Sequence, residues 1–142
     1  MKINLSQATF IIPIRIESSD RLRNVITTIA FLVENFDTNI MVKEVNSKSV
    51  FEEEAMPILD DIVEGTIWNN FNFTFEKTDK PLFHKTKILN EMIMEADTDI
   101  VISYDCDAIL PKESYKIAYD DIINGKFDVV YPYGNGMYQK QV

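Results

Sequence analysis

Two carboxylates one residue apart, Asp105 and Asp107 in the stretch DIVISYDCDAILP, are the side chains whose type and spacing point most directly to chemistry. They follow a run of apolar and β-branched residues that ends at Tyr104 and reads as a buried strand. Carboxylates at i and i+2 just past a strand repel each other unless something compensates, and a divalent cation with oxygen ligands is the simplest compensation. One carboxylate then binds the metal, and the other reaches a second ligand or accepts a hydrogen bond from a sugar hydroxyl. A metal held there would let an acidic chain bind a diphosphate. Asp-x-Asp is a weak signal alone; a strand-to-helix turn with solvated aspartates, Asp107 acting as a local cap, also accounts for it.

The elements around the pair alternate between strand and helix. Ala8–Ile16 reads as a buried strand with Pro13 near its end. Ser18, Ser19 and Asp20 offer N-caps for a helix from Arg21 to about Glu34, whose apolar face is Leu22, Val25, Ile26, Ile29 and Val33. Asn39–Ser47 reads as a second strand. Phe51–Val63 reads as a helix in which Pro57 forces a kink or opens a second turn. Asn70–Lys77 alternates strictly, with Phe71, Phe73 and Phe75 on one side, as a half-exposed strand near an edge does. A helix from about His84 to Ala96 buries Ile88, Leu89, Met92, Ile93 and Ala96, and the strand before the aspartates follows. Pro111–Asn124 has proline at its start and Gly125 beyond its end, the asymmetry of a helix. Phe127–Tyr133 reads as a last strand. This order predicts an α/β fold with a mostly parallel sheet. Ligands of such sheets bind beyond the carboxyl ends of the strands. Arg15 with Glu17, Glu44 with Asn46, and Asp105 with Asp107 all stand at such ends.

The 142 residues suit one domain, and a hydrophobic fraction of 46% supports a packed core. A net charge of −9, from 23 acidic and 14 basic residues, argues against a nucleic-acid backbone or an anionic membrane as partner. Cys106 is the sole cysteine, so no internal disulfide forms, and a reducing, cytoplasmic setting is expected. The N-terminus lacks the pattern of a signal peptide, and no window approaches the roughly 18 apolar residues of a transmembrane segment.

With these elements in order, the chain resembles the nucleotide-binding half of GT-A fold glycosyltransferases, especially those like glycosyltransferase family 2. FIIPIRIESSDRLRN is similar to that family's first strand and loop, and MVKEVNS to its second strand. FHKTKILNEMIMEADTDIVISYDCDAILP is similar to its helix, strand and DXD block, the most specific of the pieces. The resemblance runs from Thr9 to about Tyr133. It implies a Rossmann-like three-layer α/β/α sandwich and a metal-dependent hexosyl- or N-acetylhexosaminyltransferase of polysaccharide biosynthesis. The implied donor is a nucleotide-diphosphate sugar, a UDP-sugar first of all, and the acceptor a carbohydrate or another molecule. Asp107, with Asp105, would hold Mn2+ or Mg2+, and Asp105 would also serve the ribose. Pro13, Arg15 and Glu17 would line the nucleoside pocket, Glu44 would meet the base or ribose, Lys85 would approach the nucleotide or its phosphates, and Asn90 fills the recurrent asparagine position.

Each of these residues also has a purely structural reading. Arg15 fits an exposed strand end in a salt bridge, Glu44 a surface carboxylate, Lys85 and Lys87 a solvated helix face, and Asn90 a polar helix position. His84 reads as a capping or packing residue and Cys106 as packing. Family catalytic domains run longer, so the expectation is a domain incomplete at its C-terminus, with no catalytic base in view. A homodimer or a completing chain would then fit. A non-catalytic nucleotide-sugar-binding or assembly subunit of the same fold is the alternative. A nucleotidyltransferase would need a glycine-rich phosphate loop after the first strand, and RIESSDRLRN has no glycine.

Overall fold

The computed structural model describes residues 1–63, 68–106 and 108–132. They fall into two compact units, Met1–Ala108 and a second that begins at Ile109. The first unit runs β1 (Ile3–Ile14), α1 (Ser19–Asn35), β2 (Phe36–Asn46), a π-type turn (Phe51–Ala55) that continues as α2 (Met56–Ile62), β3 (Phe71–Lys77), α3 (Lys85–Glu95) and β4 (Ile100–Ser103). The second contains α4 (Lys112–Ile123), with Pro111 at its N-cap and Gly125 at φ +73° past its end.

The four strands pair in parallel in the order β3-β2-β1-β4. This is an α/β arrangement compatible with a Rossmann-like fold. The chain steps outward from β1 to β3 and then returns across β1 to lay down β4. Strand order therefore reverses between β1 and β4, and a crevice opens beyond the carboxyl ends at such a reversal.

β1 is apolar on both faces because it lies inside a parallel sheet. Ile11 packs with Val45 of β2 and with Ile88 and Met92 of α3. On the alternate positions, Phe10 meets Phe36 and the edge of Tyr104, and Phe51 stacks over Phe71 and Phe73 of β3. The phenylalanine stripe of β3 thus turns inward, half-buried, on an edge strand.

Ser18 caps α1 by accepting the Arg21 N–H. Pro57 does open a second turn. It has no N–H to give the carbonyl four residues back, and ahead of it the helix widens so that the Met56 N–H reaches the Phe51 carbonyl. Two expectations need correction. Ile93 is 49% exposed; it lies about 140° around the helix from Ile88 and about 100° from Met92, the two buried residues of α3. Phe127–Pro132 forms no strand, and Phe127, Val129 and Tyr131 are exposed. Local β propensity is realised only where a neighbouring strand accepts the ladder. Tyr133 lies outside the described residues.

Candidate functional site at the carboxyl ends of β1 and β4

α3 runs antiparallel to the strands, so its first residue, Lys85, comes up at their carboxyl ends. There the Lys85 ammonium pairs with the carboxylate of Asp105, which lies just past β4. Both side chains are about half exposed. The structure thus joins two residues twenty positions apart at the point where strand order reverses.

The loop after β4 is tied down from several sides. The Tyr104 N–H donates to the Ile11 carbonyl at 3.2 Å, extending the pairing with β1. Its hydroxyl donates to the Ala108 carbonyl. The Ala108 N–H closes a turn onto the Asp105 carbonyl at 3.3 Å. From α1, the buried Thr28 hydroxyl donates to the Cys106 carbonyl at 2.7 Å. Asp107 lies outside the described residues.

Arg15 is not the exposed strand end of a salt bridge. It is 8% exposed, and its guanidinium binds carbonyls. Nε donates to Val45 at 2.7 Å, and Nη1 to Lys80 and Pro81 at 3.2 and 3.0 Å. The guanidinium lies over the Phe83 ring, 5.5 Å from its centroid. Arg15 therefore sews the ends of β1 and β2 to the segment that delivers Lys85. Nη2 is buried without a hydrogen-bond partner among the described residues, and leaving such a donor unpaired costs about 1–3 kcal/mol.

Glu44 is neither a surface carboxylate nor open to a nucleoside. It is fully buried and accepts from Ser49 Oγ at 2.7 Å, Val50 N–H at 3.0 Å and Phe51 N–H at 3.2 Å. It caps the helical segment that begins at the π-type turn. Burial pushes its carboxyl above the ordinary range, against the pull of those three donors.

Pro13 is buried one residue before the end of β1, and Glu17 is exposed just beyond that end. Asn90 is exposed on α3, more than a turn away from Lys85, so the fold does not bring it to the crevice. His84 holds the N-cap position of α3 but is exposed and makes no side-chain cap, contrary to the capping or packing role expected of it. Lys87 is the solvated residue it was expected to be, 72% exposed beside Glu91 at 3.8 Å.

An ion pair absent from the sequence reading lies on the same face of the sheet. Lys43, mostly buried on β2, holds Glu91 of α3 at 2.8 Å. The hydrogen bond to Glu91 raises the Lys43 pKa despite burial, and the same bond lowers that of Glu91. The signal was available: Lys43 alternates with Met41 and Val45, which face α3. Two clefts, of about 250 and 220 Å3, open at the opposite, amino ends of the strands. They share Asn39, Ile40 and Asn70.

Asp105 supplies hard oxygen donors of the kind Mg2+ and Mn2+ prefer. The Lys85 ammonium engages one of the two oxygens. Among the described residues no three carboxylate, histidine or cysteine side chains gather as a metal site. Asp105 alone among the described residues supplies too few donors for a divalent ion. No protein-family model matches the chain, and no curated protein matches it in sequence. No helix among the described residues is long and apolar enough to cross a membrane.

Proposed function

We propose that this chain binds the donor of a metal-dependent glycosyltransferase reaction through a GT-A-like, three-layer α/β/α fold, and that it takes a nucleotide-diphosphate sugar, a UDP-sugar first of all. The observation that carries the reading is the meeting of Asp105 and Lys85 beyond β4, beside the end of β1, where strand order reverses. Asp105 lies just past β4, and in the sequence Asp107 follows two residues later.

Asp105 and Asp107 would hold Mn2+ or Mg2+. Such an ion acts as a Lewis acid toward a leaving nucleoside diphosphate. Lys85 offers an ammonium at the same point, where it orients Asp105 and meets phosphate oxygens. Glu17, exposed beyond β1, is available to the nucleoside. Arg15 serves by holding the 80–83 segment, Glu44 works inside the fold, and Asn90 stays outside the site.

Calorimetric titration of UDP into the chain, with and without Mn2+, tests this. The expected result is binding that requires the metal and disappears in Asp107→Ala. Equal binding by Asp107→Ala, or binding indifferent to metal, would overturn the assignment. Transfer or hydrolysis of a UDP-sugar by the chain would then separate an enzyme from a subunit that only binds.

A further inference from the structure

We propose that the open edge of β3 pairs antiparallel with the same edge of a second copy of this chain, about a two-fold axis at Thr74. This rests on the sheet and not on the donor-site reading. β3 ends the sheet, and β2 occupies only one of its sides. The ladder to β2 is bracketed by Ile40 N–H to Asn70 carbonyl and Thr78 N–H to Asn46 carbonyl, both at 2.9 Å. In a parallel ladder alternate residues turn their backbone groups toward one neighbour. Asn72, Thr74 and Glu76 therefore face β2, and the backbone groups of Phe71, Phe73, Phe75 and Lys77 point out of the sheet. The Phe71 N–H leans on the Trp68 carbonyl at 3.4 Å. Among the described residues no strand pairs with this side.

The edge lacks the usual protections. Over Phe71–Lys77 it has no proline and no bulge, and its charges, Glu76 and Lys77, stand together at one end. The other sheet edge, β4, is only four residues long. A two-fold register that pairs Phe71 with Lys77 matches the outward backbone groups along the whole strand. It sets Phe73 opposite Phe75, Asn72 opposite Glu76 and Thr74 opposite itself. No like charges face each other, and the half-buried phenylalanines of both copies fall on one face, where they cover one another. A register two residues shorter leaves Lys77 over the turn before β3. Glu76 and Lys77 cancel locally, and the chain's net negative charge acts at distances that physiological salt screens.

Analytical ultracentrifugation across a dilution series reads the result. The wild-type chain is expected to move from one to two chain masses as concentration rises. Thr74 is exposed, so substitutions there leave the fold in place, as thermal melts of each variant check. Thr74→Lys and Thr74→Glu each put like charges on the axis and should stay at one chain mass, and an equimolar mixture of the two should regain the dimer. A wild-type chain of one mass at every concentration overturns the proposal. So does a dimer that survives Thr74→Lys, or a mixture that fails to associate.

Discussion

An exposed lysine–carboxylate pair adds about 0–1 kcal/mol to stability, so Lys85 and Asp105 are to be judged by what they do to a ligand. Lys85→Met should leave the thermal midpoint nearly unchanged while weakening metal-dependent UDP binding by about tenfold, the worth of one charged hydrogen bond. Calorimetry and a melting curve on one sample check both halves. Arg15 behaves in the opposite way. Lysine cannot reproduce its planar fork onto three carbonyls or its stacking on Phe83. Arg15→Lys should therefore destabilise the fold by about 1–3 kcal/mol, with amide exchange rising first around Lys80–Lys85. Uniform protection across that segment would contradict the clamp. Glu44 gives a signed pH dependence. Its folded pKa lies above its ordinary value of 4.5, so its contribution is fully present below that value. It is lost as pH rises through the folded pKa, where burial opposes the charge. Glu91 is lowered and acts with the opposite sign, losing its contribution as pH falls. Glu44→Gln isolates the first term: its stability relative to wild type should climb with pH from about 4.5 upward. A constant difference in denaturation free energy across that range would remove the buried-carboxylate argument.

At the scale of elements, the turn after β4 depends on hydrogen bonds from two neighbours. Tyr104 stands edge-on to Phe10 in the sheet and bonds the far end of the turn, while Thr28 reaches it from α1. Tyr104→Phe keeps the ring and drops one hydrogen bond. It should cost about 1 kcal/mol of stability and weaken metal-dependent binding by loosening the turn; unaltered affinity would show that the turn holds its shape without the hydroxyl. Which of these features the sequence displays follows from periodicity. The order of elements within the first unit, the cap at Ser18, the break at Pro57 and the edge character of β3 all come from local patterns of apolarity and backbone chemistry. Glu44 was misread because its partners, the N–H groups of Val50 and Phe51, acquire their direction only once the π-type turn forms. Arg15 was misread because main-chain carbonyls carry no residue-type signal. The run at Phe127 looked like a strand because composition records β propensity but not the presence of a neighbour to pair with. Asp105 and Lys85 were legible separately; that they touch is a consequence of α3 running back against the strands.

Across the whole molecule, 23 acidic residues against 14 basic ones set the sign of the field. A chain at −9 repels a nucleoside diphosphate at long range and attracts a divalent cation. At the crevice the local balance differs, because the Lys85 ammonium answers the Asp105 carboxylate. The two scales give separable expectations for salt. Mn2+ affinity should fall as ionic strength rises from about 0.01 to 0.15 M, because the Debye length contracts from about 30 to 8 Å and the distant carboxylates drop out. UDP binding to the Mn2+-saturated chain should change far less, or strengthen slightly, because screening removes a net repulsion while contacts at the bound ion are short-ranged. Titrating Mn2+ and then UDP at each salt concentration reads both. Opposite or unequal salt slopes are expected for a metal-bridged site on an acidic chain. Equal, steeply falling slopes would mean that UDP binds through surface lysines, and the crevice between β1 and β4 would lose its claim to the donor.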